Sequence, residues 1–173
     1  MIILGIDPGL ATTGFGIINT NGDGEYKIIN FGWIKTQAKS TQGKRLEDIY
    51  QQTRKLIKKF NPDIVAIESL FFYNNSKTVI GVSQATGVIK LAVSHEKKEL
   101  FEYSPLKVKA IITNNGKAKK EEIKKMIHKL LGVSTPKNKK THFDDAADAL
   151  GIAICHARIF LESKRKEVKN GGN

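Results

Sequence analysis

The chain has 173 residues, 40% of them hydrophobic, and a single cysteine. That is enough for one domain with a real core and too few for two, and it excludes an intrachain disulfide or a cysteine-built zinc cage. No apolar run approaches the ~18 residues of a membrane span, and the opening segment lacks the basic and long apolar stretches of a signal peptide, so a cytoplasmic protein without a membrane partner is expected. The net charge of +12 suits a polyanionic partner, although a lysine-rich composition alone would also produce it.

The chain opens with an apolar run, Met1 to Ile6, stopped by Asp7-Pro8-Gly9, which reads as a buried strand ending in a turn. Residues 13–19 and 25–36 read as two further strands joined by the hairpin turn Asn21-Gly22-Asp23-Gly24. Gly14 and Gly16 share one face of the second strand, where another backbone can approach closely. A helix is expected over 43–60, with Leu46, Ile49, Tyr50, Thr53, Ile57 and Phe60 on one face. A short strand, Asp63 to Glu68, follows, then a helix over 76–96 and a strand over 99–103. A short helix begins at Ser104-Pro105, with Pro at the first helical position. After the loop Thr113 to Lys117 comes a helix over 118–131, a basic loop over 132–141, and a last helix over about 144–161. The sequence therefore predicts one α/β domain, residues 1–161, built on a mixed five-stranded sheet flanked by helices on both faces. Residues 162–173 are expected to form a basic, disordered tail. Cys155 lies in an apolar stretch and reads as a small core residue.

Carboxylates stand where such a sheet presents ligands. Asp7 and Glu68 each end an apolar strand, and in open α/β sheets ligands bind beyond those ends. A charge set against a core needs compensation: for Asp7, turn amides or a cation; for Glu68, a lysine or a cation. Asp145 and Asp148 are three apart on the last helix and share a face. Asp144 suits a helix cap, whereas Asp148 lies amid alanines and leucine and needs a partner. Asp7, Glu68, Asp145 and Asp148 together would make an all-oxygen site suited to Mg2+ or Mn2+. Lys119 and Lys120 in a helix's first turn oppose the macrodipole, a conflict that Glu121 and Glu122, or a bound phosphate, would relieve.

The run Gly5-Ile6-Asp7-Pro8-Gly9 with Gly14, the strand-end Glu68 followed by Phe71 and Phe72, and Asp145-Ala146-Ala147-Asp148-Ala149-Leu150 resemble, in order and spacing, the RuvC family of crossover junction endodeoxyribonucleases, the Holliday-junction resolvases. The likeness runs from Ile2 to about His156. It implies an RNase H-like fold, a homodimer, and a four-way DNA junction as substrate. It further implies paired nicking of two strands of like polarity, leaving 3′-hydroxyl and 5′-phosphate ends, with a branch-migration helicase complex as a further partner. The family's four acidic positions match Asp7, Glu68, Asp145 and Asp148 as catalytic groups and ligands of two Mg2+ ions, for which Mn2+ would substitute. Its aromatic at the junction centre matches Phe71, beside Phe72 and Tyr73; either could instead be core. DNA-contacting lysines are expected at Lys109, Lys117, Lys119 and Lys120, with Lys120 stabilising transition-state charge and His142 a secondary candidate near the metals. The helix over 76–96, apolar on more than one side, is expected to supply a dimer contact.

Three rivals differ in class. Another nuclease on the same fold would lack junction selectivity. A sugar-kinase or actin-like ATPase shares a strand–Asp-x-Gly opening but needs two such domains. A non-catalytic DNA-binding module would explain the charge, yet it would leave four carboxylates facing phosphate.

Overall fold

The structure is a computed structural model that describes residues 1–22, 24–69, 76–132 and 140–170, with the backbone alone described at 76–78, 140–143 and 168–170. Strands β1 (Ile2–Asp7), β2 (Thr12–Thr20) and β3 (Tyr26–Lys35) form an antiparallel meander. Helix α1 (Gln42–Phe60) leads to β4 (Ile64–Glu68), and α2 (Ser76–His95) leads to β5 (Glu99–Tyr103); both of these strands add in parallel. The sheet order is β3-β2-β1-β4-β5, so β1 is central. Helices α3 (Pro105–Thr113), α4 (Lys120–Leu131) and α5 (Lys140–Asn170) complete the chain. This is an RNase H-like fold, with the mixed five-stranded sheet covered on both faces.

Strand alternation divides the core in two. Leu4 and Ile6 of β1, Ile17 of β2, and Val65 and Ile67 of β4 pack against Ile49 and Ile57 of α1 and Ala85, Ile89 and Val93 of α2. On the opposite face, Ile3, Ile18 and Ala66 meet Val108 and Ile112 of α3, Ile123 and Ile127 of α4, and the apolar stretch of α5 from Leu150 to Ala157. Asp7 is in phase with Ile3, and Glu68 with Ala66. The same alternation that buries those residues therefore carries both carboxylates to the α5 face.

The close approach expected at Gly14 and Gly16 is met by α5 and extends to a third glycine. Gly5 pairs with Gly16, and Asp7 with Gly14, across β1 and β2. A Cβ on Gly5 would stand 2.1 Å from the Ala149 carbonyl oxygen, and one on Gly14 would stand 2.1 Å from that of Asp145; at Gly16 it would meet the Leu150 side chain at 2.6 Å. The glycine strip is the groove in which α5 lies.

Helix α5 differs from expectation at both ends. It begins at Lys140, inside the stretch read as a basic loop, and continues to Asn170. The stretch from 162 expected to be disordered is therefore helical as far as it is described. Its polar sequence suits an exposed helix end: Glu162 and Lys166 are four apart, and Lys164, Arg165 and Lys166 lie toward the negative end of the macrodipole. The earlier start also removes Asp144 from the capping position. It lies in the second turn, and its carboxylate pairs with Lys124 Nζ at 2.6 Å. Cys155 is fully buried, and burial pushes its thiol up to about 12. Among the described residues, no helix is long and apolar enough to cross a membrane.

Candidate active site

The turn after β1 is closed by Thr13, which is fully buried. Its hydroxyl donates to the Gly9 carbonyl oxygen at 2.8 Å and accepts from the Gly9 amide at 3.4 Å. That amide is therefore taken up by Thr13 rather than by Asp7, which weakens the turn-capping alternative for this aspartate. Ile6 of β1 pairs with Ile67 of β4, so Asp7 and Glu68 end adjacent parallel strands. Asp145 lies over Gly14, the residue paired with Asp7. Asp148, about one helical turn further along α5, reaches the corner between β4, α3 and α4. There a cleft of about 210 Å3 is lined by Glu68, Lys109, Lys120 and Asp148 over Pro105, Val108 and Ile123.

The electrostatics follow from this convergence. Burial, and then the charges of Glu68, Asp148 and Asp145, raise the Asp7 carboxyl well above the usual carboxylate range, against the opposing charge of Lys120. Glu68 is raised to about 7, first by burial and then by Asp148, with Lys109 and Lys120 opposing. Burial works against the Lys120 ammonium, but its hydrogen bond to Asp148 and the nearby aspartates outweigh that and raise it. Its Nζ lies 2.9 Å from Asp148 Oδ2. The dipole conflict at the start of α4 is thus answered by Asp148 as well as by Glu121 and Glu122 in that first turn.

Asp7, Glu68 and Asp148 face the ammonium groups of Lys109 and Lys120, and Asp145 stands near Asp7, a gathering of carboxylates that divalent cations would stabilise. The donors are all oxygen, as Mg2+ or Mn2+ prefers. Among the described residues, no three such groups stand close enough together to hold a metal ion as the side chains lie. The site is an open corner, with Lys120 holding one Asp148 oxygen.

The remaining expected site residues divide. Lys109 and Lys120 line the cleft. Lys117 and Lys119 are exposed and do not line it. Phe71 and Phe72 lie outside the described residues, and His142 belongs to the first turn of α5 with its side chain outside them. Two features escaped sequence reasoning. Gly5, hidden in an apolar run, is in phase with the other two glycines. His156, buried on α5, shares a 2.7 Å hydrogen bond between its Nδ1 and Tyr103 Oη, and burial lowers it to about 4.

Comparison with known proteins gives these features a family. The model of the family "Crossover junction endodeoxyribonuclease RuvC" matches residues 3–156. A protein of that name from Natranaerobius thermophilus is 44% identical over 160 residues, covering 92% of this chain and 96% of the relative. Another, from Alkaliphilus metalliredigens, is 46% identical over 158 residues, covering 91% and 93%. The solved structure of Thermus thermophilus RuvC in complex with Holliday junction substrate superposes with a TM-score of 0.85 at 28% identity, covering 94% of this chain and 96% of that one. The chain belongs to the RuvC family of crossover junction endodeoxyribonucleases.

Proposed function

We propose that this chain resolves four-way DNA junctions in recombination and repair by nicking two strands of like polarity, with Asp7, Glu68, Asp145 and Asp148 holding two Mg2+ ions, or Mn2+ in their place. One observation carries the reading: family likeness over residues 3–156 coincides with convergence of the four carboxylates at one corner of the sheet. Two bound ions would supply a water of lowered pKa as nucleophile and neutralise the leaving 3′-oxygen.

The chain's own residues arrange the rest. Asp7, on the central strand, faces both Glu68 and α5 and is the natural shared ligand. Glu68 stands on the cleft side, and Asp145 and Asp148 approach from the helix, at a spacing fixed by the glycine strip. Lys120 holds Asp148 before cations bind. Once released, it lies where it can stabilise charge on the reacting phosphate. Lys109, on the other wall of the cleft, offsets the charge of Glu68.

Two cuts on one junction call for two sites, which a symmetric dimer supplies. On α2, Ile80, Ser83, Gln84, Gly87, Leu91 and Ser94 form one exposed, uncharged strip. Ile80 is 60% exposed and Leu91 52%, and a Cβ at Gly87 would meet nothing within 4 Å. A partner helix can lie along this strip. A dimer in sedimentation at micromolar concentration, split by Leu91→Glu, supports this; a monomeric wild type contradicts it.

End-mapping of junction products tests the reaction. Two symmetric nicks, each closed by DNA ligase, are expected. Scattered cuts, or ends that ligase cannot join, would favour a general nuclease of the same fold.

A further inference from the structure

Both lysines of the cleft lie on the β4–α4 side of the carboxylates. On the opposite flank, the end of β3 and the start of α1 enclose a second cleft of about 550 Å3, lined by Ala11, Lys35, Thr36, Lys39 and Arg45. Thr36 is buried. Its hydroxyl donates to the Leu10 carbonyl oxygen at 2.6 Å, and its amide donates to that of Ala11 at 3.1 Å. Arg45, only partly exposed, donates from Nε to Thr36 Oγ1 at 2.8 Å. The guanidinium is thus fixed by its inner nitrogen, which leaves its outer N–H groups for a ligand.

The cleft gathers three cations. None of the ion pairs among the described residues involves Lys35, Lys39 or Arg45, and no carboxylate lines the cleft. Arg54, by contrast, pairs with Glu96, and Arg158 donates to the Ile111 and Ile112 carbonyl oxygens. A planar guanidinium held still, with two lysines beside it, suits a phosphate.

Register gives the distance to the site. Asp7 pairs with Gly14 and Gly14 with Trp33, while Lys35 pairs with Thr12 two positions further along β2. Two strand spacings and two residue rises separate Asp7 from Lys35 by about 12 Å. At an axial rise of ~3.4 Å per nucleotide in one strand, that is roughly three to four nucleotides.

We infer that Arg45, with Lys35 and Lys39, forms a second phosphate-binding site that grips the DNA strand roughly three to four nucleotides from the scissile phosphate, on the flank opposite Lys109 and Lys120. The inference rests on the nuclease reading above and extends it. The strand then crosses the carboxylates between two cationic anchors. The anchor on this flank is tied through Thr36 to the loop that follows Asp7, so it fixes register as well as adding affinity.

The test is junction binding in EDTA across a salt series, for wild type, Arg45→Ala and the exposed-site variant Lys39→Glu, with thermal melting as a check of folding. Arg45→Ala is expected to bind about tenfold more weakly with a salt slope shallower by about one. A single methylphosphonate roughly three to four nucleotides from the cut should weaken wild type similarly and leave Arg45→Ala unaffected. Wild-type binding and slope in both variants would overturn the inference, as would methylphosphonates that act equally on wild type and Arg45→Ala. If wild type binds junction and duplex alike, the junction reading falls, but a tenfold loss in Arg45→Ala on duplex still supports the phosphate site.

Discussion

Substituting Gly14 by alanine tests how the fold sets the spacing of the carboxylates. The new Cβ would stand 2.1 Å from the Asp145 carbonyl oxygen and 2.5 Å from its carbonyl carbon. Both are backbone atoms, so no rotamer change relieves the clash. Helix α5 must move away by about 1.3 Å to restore ordinary contact in an interior packed this closely. Asp145 moves with it, away from Asp7, which lies across the β1–β2 pair from Gly14. A misplacement of ~1 Å among positioned groups costs about a hundredfold in rate, and overpacking costs about 1–3 kcal/mol of stability. For a domain of this size that is a fall in Tm of roughly 3–10 °C. The assay is single-turnover junction cleavage at saturating protein, beside junction binding in EDTA and a melting curve. Cleavage should fall about a hundredfold while binding changes little, because the cationic side chains stand on other elements. Gly43→Ala is the control. Nothing lies within 4 Å of its Cβ position, so it should keep full activity and gain about 0.4–1 kcal/mol. Cleavage by Gly14→Ala within about twofold of wild type would refute the claim that the glycine strip positions the metal ligands.

Three further outcomes are expected. Because Glu68 is raised from its ordinary value of 4.5 to about 7, the folded chain without metal holds a proton that the unfolded chain releases. Its stability should therefore fall as pH rises from about 4.5 to 7, by an amount on the order of 3 kcal/mol; Glu68→Gln should flatten that slope, measured by melting in EDTA, and an unchanged slope would count against the burial of Glu68. Removing the Lys120 ammonium, which lies on Asp148, should lower the cleavage rate by about 10²–10³ while tightening Mn2+ binding in calorimetry; unchanged cation affinity would contradict its role as a placeholder. Tyr103→Phe leaves the buried His156 Nδ1 without its partner and should cost about 1–3 kcal/mol in denaturant unfolding without altering the junction cut; a neutral result would mean that the histidine finds another partner.

The carboxylates were legible because their placement follows from local rules. Apolar runs ending at Asp7 and Glu68 reveal buried strands with charged ends, and the three-residue spacing of Asp145 and Asp148 reveals a shared helix face. What was not legible depends on tertiary contacts. Gly5 looks like one more residue of a buried strand until its partner Gly16 and the backbone of α5 are in view. His156 looks like an interruption in an apolar helix; the Tyr103 hydroxyl that accounts for it is 53 residues away in sequence. The ends of α5 were misjudged because polarity was taken for irregularity. The stretch after Leu161 is polar because it lies beyond the part of the helix that covers the sheet, and its basic residues still suit a helix C-terminus. Arg45 shares with Lys119 and Lys120 the signal of a basic residue in a helix's first turn, but that signal names no ligand by itself. Its meaning comes from the buried Thr36 beneath it.

The central claim is that these four carboxylates make a metal-dependent, junction-selective cutting site. Incubation of wild type and Asp7→Asn with a mobile four-way junction and with linear duplex of the same sequence, in Mg2+ and in EDTA, tests it most directly. The account predicts paired cutting of the junction by wild type in Mg2+ alone, no cutting of the duplex, and an Asp7→Asn variant that binds the junction without cutting it. Cutting in EDTA, or full activity in Asp7→Asn, would contradict it.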